Sequence, residues 1–295
     1  MTQTSDDNEE LDAVIRRLEK EFGPRHSQGE EEPARPADTP ELVGPPPPAQ
    51  ANVVPGPPRV RPQQPPAQAT RALLVAIVLV YILSCVLSGS LFQPSLGALI
   101  LLGAKENSLI AAGELWRLVG ATFLHGNLIH IFFNAYALYA LGPESERIYG
   151  TPRFLAIYFL AGVGGSVASY LFSPSPSVGA SGAIFGLMGA LGVFFYLNRR
   201  LFGEGGRMQV QSIVTIAVIN LLIGFSSPGV IDNFGHLGGL AAGLIAGYAL
   251  APRIAIDREI YPPLILRRLP AWGWAVAAAL GIALIALAVL LPGAA

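Results

Sequence analysis

Seven apolar segments dominate the chain from residue 71 onward, and most are long enough to cross a bilayer. They lie at approximately 72–89, 118–141, 153–172, 180–197, 209–225, 233–251 and 272–291. A helix needs about 20 apolar residues to span the hydrocarbon core, and a helix satisfies its backbone polar groups internally. The residues are 52% hydrophobic and 13% charged, whereas soluble domains carry about 25% charged residues. The sequence therefore predicts an all-α, polytopic membrane helix bundle.

Composition divides the chain into three parts. Residues 1–70 are rich in proline and cannot build a core, so we expect a disordered cytoplasmic tail. Apolar residues at helical spacing allow one short amphipathic helix between Glu9 and Phe22. Residues 71–252 contain six apolar segments and form the predicted core, and residues 253–295 form a cytoplasmic linker and a C-terminal transmembrane helix. The tail acts as a tether or, alternatively, as a docking site for a regulatory partner.

Basic residues predict the orientation of the bundle. With a cytoplasmic N-terminus, the outside loops carry Lys105 and Arg117, and the inside loops carry a much larger basic set. Such an excess marks the cytoplasmic side of membrane proteins. The inside residues are Arg71, Arg147, Arg153, Arg199, Arg200, Arg207, Arg253, Arg258, Arg267 and Arg268. We expect an integral, multi-pass protein of the bacterial inner membrane with its N-terminus in the cytoplasm.

The segment between residues 90 and 117 is too apolar for an aqueous loop and too interrupted for a span. Its leucine-rich runs are broken by Pro94, Gly97 and Gly103. Lipid-exposed irregular backbone is not tolerated within the hydrocarbon core, but it is tolerated at the interface. We expect a partly immersed interfacial loop on the outer side.

Ser181 opens the fourth apolar segment within Gly179-Ala180-Ser181-Gly182. Its backbone N–H has no acceptor inside a helix that begins there, and the positive end of the helix dipole favours a developing oxyanion. A hydroxyl at the mouth of an apolar helix suits a nucleophile. A serine cap with small-residue packing is the alternative.

His236 opens the sixth segment at the same depth as Ser181. It is followed by glycines at positions 239, 243 and 247, a spacing that lets two membrane helices approach closely. We expect the fourth and sixth helices to touch, which would bring the imidazole within hydrogen-bond reach of the serine hydroxyl. Asp232 precedes this helix and has the character of a cap more than of a third catalytic member.

A third polar cluster lies in the second segment. His130 and Asn134 are four residues apart and share one helical face, so they could stabilise an oxyanion opposite the serine. The alternative is an interhelical hydrogen-bond network, which fits His125 better, as a residue that stabilises the loop.

Serine chemistry remains when other protease chemistries are considered. A metalloprotease needs His-Glu-x-x-His or a comparable ligand set, which the sequence lacks. The membrane half contains two aspartates, Asp232 and Asp257, and Asp257 falls in a predicted cytoplasmic loop. No metal site, cofactor or aspartyl dyad is therefore expected, and a Ser–His dyad is the predicted machinery.

The chain resembles the rhomboid intramembrane serine proteases. The resemblance covers roughly residues 90–250 and rests on four motifs taken together. They are Trp116-Arg117, Phe123-Leu124-His125 with His130 and Asn134, Gly179-Ala180-Ser181-Gly182 with Phe185-Gly186, and Asn233-Phe234-Gly235-His236 with its glycine stripe. The resemblance implies a six-helix rhomboid catalytic core with a water-filled cavity open to the outer side, followed here by a seventh C-terminal transmembrane helix.

The resemblance also implies roles for the polar residues. Ser181 would be the nucleophile and His236 the general base and then the general acid. The oxyanion hole would be lined by His130, Asn134 and the backbone N–H of Ser181.

Five further residues would support the site by the same resemblance. Phe185 would stack near the catalytic histidine, and Gly179 and Gly182 flank the serine in the motif that carries the resemblance. Trp116 and Arg117 would belong to the interfacial loop that shapes the bilayer around the site.

The expected partners are the lipid bilayer and membrane-protein substrates whose transmembrane segments are weak helix formers. The net charge of −1 argues against nucleic acid. The main rival function is a catalytically silent membrane protein that binds other transmembrane helices. A transporter is a weaker rival because the sequence shows no internal repeat.

Overall fold

The computed structural model describes residues 67–227, 229–257, 259 and 264–294. Most of the predicted proline-rich tail, including its short amphipathic helix, lies outside these residues. The first helix begins at Gln68, slightly before the predicted boundary at residue 71.

The described part of the chain is mostly helical, which confirms the all-α prediction. Every predicted apolar segment overlaps one of its long helices. The helices are α1 (Gln68–Ser88), α2 (Leu96–Leu102), α3 (Asn107–Ala111), α4 (Arg117–Gly120), α5 (Leu128–Tyr149), α6 (Thr151–Phe172), α7 (Ser181–Leu197), α8 (Arg199–Phe225), α9 (Asn233–Leu250) and α10 (Gly273–Leu290).

Length and apolar composition qualify several of these helices to cross a membrane. Among the described residues, α1, α6, α8 and α10 meet the criterion, and α4 with α5 adds a fifth span when that bent pair is counted as one. Helix α7 is shorter, at 17 residues, and α9 carries Asn233 and His236 in its first turn. Of the long helices, α7 and α9 do not meet this criterion, and both begin at the candidate site.

The second apolar segment is not the continuous helix that the sequence predicts over 118–141. Helix α4 passes into a 3-10 turn at Ala121–Phe123, and α5 then leaves at an angle of 93°. The side chain of Asn127 caps α5 by accepting a 2.8 Å hydrogen bond from the His130 N–H. A local side-chain cap thus starts a new helix where hydropathy alone indicates none.

A buried carboxylate joins the start of α1 to α5. The Glu146 oxygens accept hydrogen bonds from the N–H groups of Ala69 and Thr70 at 3.0 and 2.9 Å and from the Thr70 hydroxyl at 2.8 Å. These N–H groups belong to the first turn of a helix, where no intrahelical acceptor exists. Glu146 therefore caps α1 from a distant part of the chain.

Helices α6, α7 and α9 form the centre of the bundle, and their glycines let the backbones touch. A Cβ on Gly239 would overlap the backbone of Gly182, and one on Gly243 would overlap the backbone of Gly186. The Tyr149 hydroxyl lies between α7 and α9, where it donates to the Ala190 carbonyl at 2.7 Å and is 3.3 Å from the Gly247 carbonyl. The predicted contact between the fourth and sixth apolar segments is confirmed.

The segment between α1 and α4 is built from the short helices α2 and α3 rather than from an open loop. Several of its apolar side chains are exposed, including Leu91, Phe92 and Leu101. A cluster of such residues on a protein surface marks a contact with lipid or a partner. This exposure agrees with the expectation of a partly immersed segment.

A β-hairpin between α9 and α10 replaces part of the predicted linker. Strand β1 (Arg253–Asp257) pairs antiparallel with β2 (Leu264–Arg268), and Arg253 lies opposite Arg268 in the register. The β-branched residues Ile254, Ile256 and Ile265 favour strands at these positions.

Candidate active site

A loop with one unusual backbone conformation delivers Ser181 to the start of α7. Gly179 adopts φ +132°, which favours glycine, and its N–H donates to the Ala121 carbonyl at 2.9 Å. Ala180 occupies the N-cap position, so Ser181 is the first residue of the helix. Its backbone N–H therefore lies among those that lack an intrahelical acceptor.

The first turn of α9 presents His236 to the serine. His236 is 8% exposed, and its Nε2 lies 2.9 Å from the Ser181 Oγ. The structure thus brings together the two residues that the sequence singles out. This is the distance at which a hydroxyl can donate a hydrogen bond to an imidazole nitrogen.

Asp232 caps α9, as its position in the sequence predicts. Its Oδ1 accepts a 2.9 Å hydrogen bond from the Gly235 N–H. The Nδ1 of His236 is buried and has no hydrogen-bond partner among the described residues. Within that part of the chain, no third side chain extends the Ser181–His236 pair.

Phe185 fixes the plane of the imidazole. Its ring stacks on His236 with centroids 4.3 Å apart and an interplanar angle of 11°. Phe185 lies four residues after Ser181 on α7, so both side chains share one helical face. The stacking places an aromatic wall behind the histidine, where the family resemblance implies one.

His130 faces the glycine that precedes the serine. A Cβ on Gly179 would lie 2.7 Å from the His130 Nε2 and 3.7 Å from the Ser181 Oγ. The other ring nitrogen, Nδ1, accepts a long 3.5 Å hydrogen bond from the Gly126 N–H. That bond favours the tautomer with its proton on Nε2, which points the imidazole N–H toward the serine loop.

Asn134 lies one turn after His130 on α5 and is buried. Its amide donates to the His130 carbonyl at 2.9 Å, and its Oδ1 has no partner among the described residues. The structure records no hydrogen bond between this side chain and Ser181 in the described part of the chain. One amide hydrogen remains unused because the NH₂ group has two.

His125 makes no well-formed hydrogen bond with a described residue, although it is fully buried. Its ring packs edge-on against His130, with centroids 5.1 Å apart. No hydrogen bond from His125 to another helix is recorded among the described residues, so its part in an interhelical network stays a prediction. Its role in the loop is to pack against His130.

Trp116 and Arg117 make contacts within the interfacial segment. Arg117 is 4% exposed and forms an ion pair with Glu114 at 2.8 Å, and it donates to the Ala104 carbonyl at 3.2 Å. Trp116 is half exposed and packs where a Cβ on Gly103 would stand. Neither residue has a recorded contact with Ser181 or His236 in the described part of the chain.

Lys105 has a structural role that its position in the sequence does not predict. This lysine is fully buried, and its Nζ donates to the carbonyls of Ser173 and Ser175 at 2.7 and 2.8 Å. Its backbone also pairs with Ser177. Burial lowers the pKa of Lys105 to about 8, although the charges of Asp232 and Glu106 oppose this shift. Lys105 thus ties the interfacial segment to the loop that leads to Ser181.

A cavity of about 20 Å³ opens beside the serine. Its wall includes Ser166, Ser177, Ser181 and Asp232, and such a polar space is large enough for one water molecule. No group of three or more histidine, cysteine, aspartate or glutamate side chains converges on a metal position among the residues that the structure describes.

Known proteins resemble this chain across the part that holds the site. The family model described as "Rhomboid domain" matches residues 112–253, which include every residue of the site from His130 to His236. Rhomboid-like protease 3 of Toxoplasma gondii is 33% identical over 218 residues, covering 67% of this chain and 82% of that protein. The chain belongs to the rhomboid family. The family assignment made from the sequence motifs is confirmed.

Other relatives are matched over part of their length. Rhomboid protease GluP of Bacillus subtilis (strain 168) is 51% identical over 152 residues, covering 52% of this chain and 29% of that protein. RHOMBOID-like protein 5 of Arabidopsis thaliana is 37% identical over 166 residues, covering 55% of this chain and 53% of that protein. Together, the rhomboid domain and the apolar helices make this chain an integral, multi-pass membrane protein.

Proposed function

We propose that this rhomboid is an intramembrane serine protease that works through a dyad of Ser181 and His236. The observation that carries the proposal is the 2.9 Å contact between His236 Nε2 and Ser181 Oγ. A base within about 3.2 Å of a hydroxyl can take its proton as the oxygen attacks a carbonyl carbon. The pair lies at the ends of apolar helices, where an idle hydroxyl and imidazole would only cost free energy.

The first half of the reaction forms an acyl-enzyme. The Ser181 Oγ attacks the carbonyl carbon of a peptide bond, and its proton passes to His236 Nε2. This requires the neutral tautomer with its proton on Nδ1. The C–N bond then breaks, and the leaving amine takes the proton from His236. Phe185 keeps the imidazole in one plane through both transfers.

The negative oxygen of the intermediate needs donors that are in place beforehand. We assign this role to the Ser181 backbone N–H, the Nε2–H of His130 and the unused amide hydrogen of Asn134. The close approach of His130 to Gly179 supports the second assignment, because any larger residue at position 179 would fill the space between His130 and the serine.

Water completes the reaction. The cavity beside Ser181 has the size and polarity to hold one water molecule. His236 would take a proton from that water while the oxygen attacks the acyl carbon, and His236 would pass this proton to the Ser181 Oγ as the ester breaks. No cofactor enters either step.

The position of the dyad indicates the substrate class. A peptide bond inside a transmembrane helix is protected by helical hydrogen bonds, so the substrate must unwind locally before attack. Segments with glycine or proline near the end that enters the site should be preferred. We further propose that the protein resides in the bacterial inner membrane, with a cytoplasmic N-terminus.

A fluorophosphonate probe tests the dyad, because it labels serines whose hydroxyl is activated. The purified, detergent-solubilised protein should be labelled, and Ser181→Ala and His236→Ala should abolish labelling. Ser169→Ala is a matched control because Ser169 is a buried serine on α6 whose hydroxyl has no hydrogen-bond partner among the described residues. That control should be labelled like the wild type.

The same samples separate the protease from the rival function. A catalytically silent protein that binds transmembrane helices would bind a model substrate but leave Ser181 unlabelled and the substrate uncut. Absence of labelling in a folded wild-type sample would thus overturn the protease proposal in favour of this second candidate.

A further inference from the structure

Four arginines gather at the end of the bundle that lies opposite the candidate active site. The arginine cluster comprises Arg153 at the start of α6, Arg253 on β1, and Arg267 and Arg268 on β2. Helix α9 separates the cluster from His236, and its 18 residues span about 27 Å. That length matches the hydrocarbon thickness of a bilayer, which is about 30 Å. The cluster therefore lies at the opposite membrane surface.

Two of these arginines bury nitrogen atoms without a hydrogen-bond partner. The Nε of Arg153 and the Nη1 of Arg253 are buried, and neither has a partner in the part of the chain that the structure describes. A guanidinium carries five N–H donors, and a buried charged donor without an acceptor is costly. These atoms are suited to an acceptor that comes from outside the described residues.

The cluster also holds like charges close together. Arg253 and Arg268 face each other directly across the hairpin, and like charges in that arrangement are destabilising. Burial lowers the pKa of Arg267, and the charge of Arg153 lowers it further. Among the described residues, the ion pair recorded is Arg117–Glu114, which lies elsewhere. An anion between Arg253 and Arg268 would relieve the repulsion between these two residues.

Aromatic side chains mark the depth of the cluster. Arg153 lies over the Trp274 ring at 5.7 Å, and Arg253 lies over the Tyr248 ring at 5.0 Å. Tyr248 in turn packs against Trp272. Tryptophan and tyrosine are enriched where the hydrocarbon core meets the lipid headgroups. The guanidinium groups are therefore level with the headgroup phosphates.

The hairpin offers apolar surface next to its arginines. Ile265 is 66% exposed, and Leu269 is also exposed. A free phosphate ion gains no binding free energy from contact with apolar side chains, whereas a lipid can place its glycerol and acyl groups against them. The combination of unpartnered guanidinium nitrogens, interfacial aromatics and exposed aliphatic side chains indicates a lipid.

We propose that the arginine cluster binds the phosphate of an anionic phospholipid headgroup. The phosphate oxygens accept hydrogen bonds from Arg253 and Arg268, which lie opposite each other on one face of the hairpin. Arg267 lies on the other face of β2, where it donates from Nη2 to the Ile148 carbonyl. Arginine suits this task because its planar fork can pair with two phosphate oxygens at once.

The test is a lipid-dependent thermal shift on the full chain, purified in detergent and stripped of lipid. Phosphatidylglycerol should raise the unfolding midpoint of the wild type by several degrees, and phosphatidylcholine should not, because its headgroup carries no net charge. The double variant Arg253→Gln/Arg268→Gln should lose the shift. A matched control, Arg199→Gln/Arg200→Gln, removes two exposed arginines from α8 and should keep it.

Four outcomes would overturn the proposal. An equal shift with phosphatidylcholine would show that binding does not depend on the net charge of the headgroup. A shift that survives in the double variant would show that Arg253 and Arg268 do not bind the lipid. An equal shift with inorganic phosphate at the same concentration would identify a free-anion site. A shift that appears only after deletion of residues 1–66 would identify the acidic N-terminal tail as the occupant. Fluorophosphonate labelling of Ser181 in each variant serves as the check on folding.

Discussion

Helices α8 and α9 both pack against α7, but they do so in opposite ways. Helix α9 approaches backbone to backbone, with Gly239 and Gly243 against Gly182 and Gly186. Helix α8 is mostly exposed, and its buried residues are Gly206, Ala217 and Gly224. The difference shows where the fold demands particular residues. The contact that joins Ser181 to His236 tolerates no added methyl group, whereas the α8 surface needs only apolar character.

Adding one methyl group at each contact tests whether the α7–α9 contact is less tolerant than the α7–α8 contact. Gly243→Ala would place a Cβ inside the backbone of Gly186 and push α9 away from α7. A displacement of about 1 Å at a catalytic site can cost about 100-fold in rate, so we expect cleavage of a model substrate to fall at least about 100-fold.

Gly192→Ala is the matched control on α7. Its Cβ would lie 3.9 Å from the nearest atom, on Ile213 of α8, which is ordinary contact. Activity should stay at the wild-type level, and stability should rise slightly because alanine favours helix over glycine. Equal behaviour of the two variants would show that close α7–α9 packing does not set the rate.

A second prediction compares two asparagines that make the same local bond. Asn134 on α5 donates to the carbonyl four residues earlier, and so does Asn220 on α8. If Asn134 also donates to the oxyanion, Asn134→Ala should lower kcat by about 10- to 1000-fold with little change in KM. Asn220→Ala should leave both constants unchanged. Steady-state kinetics on one substrate measures both, and an unchanged kcat in Asn134→Ala would remove that residue from the site.

The smallest predicted effect concerns the loop that precedes α7. Burial lowers the pKa of Lys105 from 10.5 to about 8, so between these values the unfolded chain binds more protons than the folded protein. Stability from this group should therefore be lowest below about pH 8 and should rise as pH increases toward 10.5.

Unfolding midpoints measured from pH 7 to pH 10 test whether stability rises with pH as predicted. The wild type should gain stability relative to Lys105→Met over that range, because methionine carries no titrating group. Lys105→Arg should show no such gain, because an arginine keeps its charge throughout. A wild-type curve parallel to both variants would mean that Lys105 keeps its proton in the folded state.

The sequence predicts those features that follow from composition and spacing. Apolar length gave the positions of the long helices, and the glycine spacing after His236 gave the contact between α7 and α9. Both signals are local in the chain. The pairing of Ser181 with His236 followed from them, because two helix starts at one depth can meet only if the helices touch.

Other features depend on contacts between distant parts of the chain. The bend before α5 arises from the cap that Asn127 provides, and apolar content does not report it. Lys105 looked like an exposed loop charge, because its acceptors near Ser173 lie 68 and 70 residues away. The packing of His125 against His130 likewise depends on which groups surround it. Such outcomes require the folded arrangement, since the residue type alone allows several.

The backbone contact between α7 and α9 has a consequence for the life of the chain before it is complete. Ser181 and His236 are 55 residues apart, and all of α8 lies between them. During synthesis, Ser181 enters the membrane well before the ribosome has delivered its base. A nascent or truncated chain that ends before α9 therefore carries an inert alcohol, and neighbouring membrane proteins are safe from it until the last core helix docks.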